Sequence, residues 1–412
     1  MARLTRAQQQ ERTRGVVLVA ARQEFAEYGY AEAKVDRIAE RAELTRGAVY
    51  SNFTGKRALY LAVLADAAEQ ALAHAEPPLE SPGSAGAALG TFARVWLERL
   101  PLSGDTPGSG HLQLRSLSGV LDTEAVRAAL AELLRLEALL LALALEPRTA
   151  PRTRTVRLAE LALTLLHGAA GLAENAPGVG DPFELARAAE HLAAIPLLDD
   201  SEPPHLPYVA PARSAEDRWA APRGLRDEIT GRRIDLDDDG VVVVLGVRRL
   251  SATVEAVRSA GPRDEVTLVV VTDDPAEAGR LARLRITDLV GCLRRVFPAG
   301  ELPRLRLVFD DACTVLAAIG LESADDRTEV AIRVRDGLIV ARAEGRGAGH
   351  AAADHGVREG DGQHEDARPG SASPDEGQPR RERPGSGAPD QGRPQREQPA
   401  PGVPRDAEPG NR

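Results

Sequence analysis

Residues 196–215, PLLDDSEPPHLPYVAPARSA, divide the chain into two parts with different hydrophobic periods, and this break constrains the fold more than any other feature. Five prolines in the stretch remove backbone donors and fix φ, so no helix interior or central strand crosses it. A linker is expected over 196–221. Before it, apolar residues recur every three to four positions, the period of packed helices. After it come short apolar or alternating runs at 241–247, 266–272, 305–310, 329–334 and 338–344, which read as strands. Helical stretches separate the first four, and Asp336-Gly337 supplies a hairpin turn for the last two. That order specifies an α/β sheet of parallel strands with an antiparallel hairpin at its edge.

The expected architecture is therefore multidomain: all-α to residue 195, a small α/β domain over 222–345, and a tail over 346–412. The tail is Gly-, Pro- and charge-rich without Leu, Ile, Phe, Tyr, Trp or Met. It has too little apolar surface to offset its ordering entropy and is expected to be disordered. In the all-α part, helices are predicted at 57–75, 85–99, 110–119, 123–145, 152–174 and 182–194.

Three shorter stripes precede them. Val16, Val19, Ala20, Phe25 and Tyr28 form the first, Val35, Ile38, Ala39 and Ala42 the second, and Leu44, Ala48, Val49 and Phe53 the third. Only about three residues around Glu43 and Leu44 join the second to the third, the spacing of a helix-turn-helix whose second helix, Thr45 to Asn52, lies in a major groove. Charge agrees with a phosphate-facing module. Residues 1–57 hold 11 Lys plus Arg against 7 Asp plus Glu, while the whole chain is −10, and the only two lysines, Lys34 and Lys56, fall here.

The AARQEFAEYGY end of the first helix, the VDRIAERA second helix and the TRGAVYSNFTGKRAL segment resemble the DNA-binding domain of the TetR family of one-component repressors. The resemblance covers roughly residues 8–64 and implies a helix-turn-helix domain over 1–56, with a helical effector-binding and dimerisation domain over 57–195. Thr45 is expected to cap the recognition helix, and Gly47 and Ala48 to keep it slim. Tyr50 is expected to reach a phosphate, Arg46, Ser51 and Asn52 to offer donors to backbone or base edges, and Lys56 to meet a phosphate at the start of the next helix. Two positions depart from the family pattern. Lys34 stands where a capping Ser or Thr is usual, so that cap is lost and a cation gained. Glu43 replaces a turn glycine, which either strains the turn or means that no positive φ is needed.

The resemblance further implies a homodimer, operator DNA and a small-molecule effector as partners. A stripe of Leu158, Leu161, Leu165, Leu166, Ala169 and Leu172, with Gly168 and Gly171, is the expected dimer face, or else seals the monomer core. Phe92, Trp96, His111, Gln113, Arg115 and His167 are the ligand-pocket candidates, with His167 equally readable as a satisfied core histidine. No cofactor or metal is expected. The DLDDDG run at 235–240 lacks the glutamate of a calcium loop and reads as a solvated turn. The N-terminus is polar and no run of 18 apolar residues occurs, so a cytoplasmic protein without a membrane span is expected.

The strands of 222–345 weakly resemble a thioredoxin-like domain of the peroxiredoxin or thiol-disulfide oxidoreductase type, carried by VVVVLGV, FDDACTVLAAIGL and AIRVRDGLIVARAEG. The catalytic thiolate of that family would follow the first strand, where this chain reads Gly246-Val247-Arg248-Arg249-Leu250-Ser251, and near Thr328 and Glu329 no proline stands before the hairpin. The resemblance thus implies a scaffold without its catalysis, and the expected function is a DNA-binding regulator rather than an enzyme. A thiol-redox enzyme or sensor is the alternative, and it would have to use Cys292 and Cys313, both of which read as buried core thiols.

Overall fold

A computed structural model describes residues 5–78, 80–98, 117, 119–149, 153–176, 179–197 and 203–362. Helix α1 (Arg6–Glu32) starts on a capping box between Thr5 and Gln8 and bends at Gly29, whose φ is +68°. Its buried face is Val17, Ala20, Ala21, Glu24 and Phe25, one step round from the expected stripe. Val16, Val19 and Tyr28 are exposed. The short helix α2 (Val35–Arg41) packs against it and α3 (Arg46–Tyr50) against α2, and the longer α4 (Lys56–Ala73) closes the core with Leu59, Tyr60 and Val63. Phe25, Tyr30 and Tyr60 form an aromatic cluster at the α1–α4 crossing, with centroids 4.9–6.4 Å apart.

Four further helices follow: α5 (Ala85–Leu97), α6 (Glu124–Leu145), α7 (Val156–Asn175) and α8 (Pro182–Leu192). Ser84, Thr123 and Asp181 each accept a first-turn N–H and so cap α5, α6 and α8. These bounds lie within four residues of those predicted. The helix expected at 110–119 falls almost wholly outside the described residues, as do His111, Gln113 and Arg115.

The second half forms a mixed sheet of β1 (Arg213–Arg218), β4 (Gly240–Gly246), β5 (Glu265–Val271), β6 (Arg306–Phe309), β7 (Glu329–Arg335) and β8 (Leu338–Glu344), with a small ribbon of β2 (Leu225–Arg226) and β3 (Arg233–Ile234). The sheet order is β1-β8-β7-β4-β5-β6. Strands β4, β5 and β6 are parallel, and β7 joins β4 antiparallel. Two expectations are corrected here. The hairpin is not the edge, because the stretch read as linker supplies β1, which pairs with β8. Prolines at 207 and 211 precede that strand rather than interrupt it, and its register against β8 shifts between Ser214 and Asp217. The ordered chain also runs past 345: α12 (Ala348–Gly362) buries Ala348, Ala351, Ala352 and Ala353 against the sheet, alanine alone sufficing for a close helix-on-sheet contact. The rest of the expected tail, 363–412, lies outside the described residues.

Strand β4 is buried on both faces. Val242 and Val244 face one core with Trp219, Ile332 and Val334, whereas Val241, Val243 and Leu245 join a core that continues through α10 (Ala278–Val296) into the helical region. Helix α10 lies against α4, α5 and α6, so the α/β part shares its interior with the helices rather than hanging from a linker. Gly246 ends β4 where the 325–328 loop crosses. A Cβ there would stand 2.3 Å from the Asp326 carbonyl carbon, so only glycine fits.

Helices α9 (Thr253–Ser259) and α11 (Thr314–Ile319) complete the fold. Cys292 is buried as expected, but Cys313 is exposed: it occupies the α11 N-cap with φ +54°, outside the apolar run that begins at Val315.

Candidate nucleic-acid interface and the helical wall behind it

The helix-turn-helix is fastened from below. Glu24 of α1 is completely buried and its carboxylate accepts from the Lys34 N–H (3.0 Å), Arg37 Nε and Arg41 Nε (3.2 Å). Lys34, at the α2 N-cap, makes no side-chain cap, as its substitution for Ser or Thr implies, and Glu24 instead accepts from the N–H of Lys34 itself. Nothing in the linear pattern flagged Glu24, because a glutamate on a helix reads as surface. The signal was its place among Val17, Ala20, Ala21 and Phe25.

The turn resolves the ambiguity at Glu43. Its φ is +54°, and a Schellman closure runs through it: Glu43 N–H donates to Glu40 O (3.1 Å) and Leu44 N–H to Ala39 O (2.9 Å). The left-handed conformation is thus required, and a glutamate adopts it.

Thr45 caps α3, accepting from the Ala48 N–H at 3.2 Å. Val49 and Phe53 are 1% and 2% exposed and anchor the helix, which leaves Arg46 and Tyr50 outward. Arg46 lies beside Asp36 at 3.2 Å and above the Tyr50 ring at 5.5 Å, both ion-pair partners being about 60% exposed (61% and 62%), so water weakens the pair and the guanidinium stays available. Gly47 is exposed beside Arg46, and Ala48 lies half-buried. Ser51 Oγ and Asn52 Nδ2 both donate to the Ala48 carbonyl, at 2.9 and 2.8 Å. In this arrangement the two side chains close the C-terminus of α3 instead of pointing away from it. Lys56 Nζ donates to the Ala31 carbonyl at 2.9 Å and sits 4.9 Å from the Tyr30 ring centre; burial pushes its ammonium below the usual lysine value while Glu32 and Glu24 oppose that shift. It ties α4 to the end of α1 and keeps donors for a further acceptor.

Among the pocket candidates in the described residues, Phe92 and Trp96 are buried and His167 meets Trp96 edge-on, centroids 5.0 Å apart. The wall they form is already covered. Arg285 of α10 donates from Nε and Nη2 to the two oxygens of Glu137 at 2.7 Å each, and its Nη2 stands 3.2 Å from His167 Nε2. The same helix reaches the reading head: Arg280 donates to the Ala58 carbonyl (3.0 Å) and lies over the Phe53 ring, while Glu277 accepts from Arg57 (3.0 Å).

The expected dimer stripe splits. Leu158, Leu166 and Ala169 face the monomer core, while Leu161 and Leu172 are exposed, and a Cβ on Gly168 would meet nothing. Only 39% of Val156–Ala173 is buried, although this helix alone among the described residues is long and apolar enough to cross a membrane. Phe183 of α8, 74% exposed, adds to the uncovered apolar surface.

Helices α1 to α4, with an exposed α3 edge and a capped, fastened turn, define a helix-turn-helix DNA-binding domain. Residues 17–63 match the family described as "Bacterial regulatory proteins, tetR family", so this N-terminal segment is a TetR-family domain. The chain is 46% identical over 65 residues to the HTH-type transcriptional regulator SrpR of Pseudomonas putida, covering 16% of this chain and 30% of that protein. It is 45% identical over 51 residues to the HTH-type transcriptional activator FasR of Mycolicibacterium smegmatis, covering 12% and 23%. It thus spans less than a third of the length of either relative. A solved tetR-family transcriptional regulator from Streptomyces coelicolor aligns at 23% identity with a TM-score of 0.33, over 45% of this chain and 80% of that one.

Proposed function

We propose that the protein is a homodimeric, sequence-specific DNA-binding transcriptional regulator, a repressor released from its operator by an effector acting on the helical domain. The observation that carries this reading is the α3 edge: Arg46 and Tyr50 project to solvent while Val49 and Phe53 lock the helix into the core. Arg46 reads base edges, Tyr50 and the backbone around Gly47 and Ala48 meet phosphates, and Lys34 and Lys56 add cations at the two ends of the module. Ser51 and Asn52 contribute mainly by holding the end of α3. A single copy neutralises few phosphates, so two copies reading two half-sites are needed for useful specificity. The uncovered surface of Leu161, Leu172 and Phe183 supports pairing of two chains through α7 and α8.

The test is footprinting and competition binding on DNA flanking the protein's own gene. Affinity should fall steeply with salt, and Lys56→Ala should weaken all sequences alike and flatten the salt slope by about one unit per half-site. Arg46→Ala should relax preference at one base position. No salt-dependent association with any duplex, or an unchanged preference in Arg46→Ala, overturns the assignment.

A further inference from the structure

Among the described residues of the helical region, Glu137 is the one carboxylate buried completely beside its aromatic wall, and the guanidinium that neutralises it comes from the other half of the chain. Among the described residues, its own helices offer it only His167, at 3.6 Å. Leaving a carboxylate in that interior without a cation costs several kcal/mol, so the position demands a positive partner. The partner present is planar and forked: two parallel N–H donors of Arg285 meet the two carboxylate oxygens at 2.7 Å each, geometry that an ammonium cannot reproduce. His167 Nε2 stands 3.2 Å from the same guanidinium, and the Trp96 edge fixes the imidazole plane. The rim is not sealed, since the His167 and Arg285 side chains remain 28% and 13% exposed. Burial alone would disfavour the charged carboxylate, yet the guanidinium and the imidazole outweigh it and hold Glu137 below the usual carboxylate range.

Occupancy of this position is linked to the reading head through one rigid element. About one and a half turns before Arg285, α10 is bonded to Ala58 of α4 through Arg280, and its N-cap Glu277 holds Arg57.

We propose that Glu137, His167 and Trp96 form a guanidinium-recognition seat in the helical domain, filled here by the chain's own Arg285, so that the α/β domain is a resident effector with which free alkylguanidinium-type cations compete. This rests on the reading of the helical domain as the effector domain. In the intact chain the tethered group has an effective concentration in the millimolar range or above, so a free cation gains the seat readily only when Arg285 is removed.

The full-length Arg285→Ala chain is the test, with ethylguanidinium as the probe and ethylammonium or sodium chloride at equal ionic strength as controls. Its thermal midpoint should drop by several degrees, and about 10 mM ethylguanidinium should restore much of that loss while moving the unmodified chain little. The double variant Arg285→Ala/Glu137→Gln should not respond. If Arg285→Ala does not fold, Arg285→Gln, whose shorter, uncharged side chain leaves less of the cleft empty than alanine does, takes its place in the same titration. Equal response of the variant and the unmodified chain, or equal restoration by ethylammonium, overturns the seat. Operator affinity should change at least fivefold on loss of Arg285 and return with ethylguanidinium; unchanged affinity overturns the effector role. The midpoint measurement needs no DNA, so failure of the unmodified chain to bind any duplex would reject the DNA-reader reading while leaving the seat to be judged on its own result.

Discussion

Replacing Glu24 by glutamine probes how the reading head is held. The carboxylate is 0% exposed and accepts three donors, one from the Lys34 backbone and one each from Arg37 and Arg41, whose side chains are 32% exposed. A glutamine of the same shape keeps one acceptor oxygen and turns an NH2 group toward donors. A buried charge-assisted bond contributes about 1.5–3 kcal/mol, but the two arginines can turn to water, which lowers their share to roughly 0.5–1 kcal/mol each. With the backbone bond partly kept, Glu24→Gln should destabilise the N-terminal helices by about 2 kcal/mol. For a cooperative unit of roughly 150–250 residues that is a fall in midpoint of about 4–8 °C, read by far-ultraviolet circular dichroism during heating. Duplex affinity should fall in parallel because α2 loses its tie to α1. A change below about 0.5 kcal/mol would refute the argument, since it would mean that the buried carboxylate does not organise the turn.

Glu43→Gly should raise stability: relief of a left-handed side chain gains about 1–2 kcal/mol and the extra unfolded-state freedom of glycine removes about 0.5–1, leaving a modest net gain in a urea midpoint. Leu172→Glu together with Phe183→Asp should convert the proposed α7–α8 dimer to monomer in sedimentation velocity with little loss of monomer stability, because both side chains are exposed. The Glu137 pair gives an acid limb. Its folded pKa lies below the ordinary value of about 4.3, so its contribution is complete above that value and disappears as pH falls through the folded pKa. Glu137→Gln should therefore show a shallower loss of thermal midpoint than the unmodified chain below about pH 4.3.

Periodicity alone located α4 to α8 and β4 to β8 to within a few residues, because each is set by local rules: three-to-four spacing, short apolar runs, and caps at Ser84, Thr123 and Asp181. It also marked Thr45 as a cap and the Asp336-Gly337 turn. It misplaced the α1 face by one step, since in a long helix with few strong apolar residues Val16 and Val17 are equivalent in spacing. Strand β1 and helix α12 were missed because each owes its structure to the sheet it joins: an edge strand of mostly polar residues and an alanine-rich helix carry no local signal.

The amino-acid order by itself determined that there would be a helix-turn-helix with an outward Arg46 and Tyr50, a helical bundle and a mixed sheet, because these follow from contacts between residues close in the chain. Tertiary structure decided that Glu24 is an anchor rather than surface, that Ser51 and Asn52 close a helix end, and that Glu137 and His167, beside Trp96, meet a guanidinium from residue 285. Those pairings join positions as far as 148 residues apart, and such distant charges are matched only when the chain is folded, where burial makes each carboxylate seek a partner.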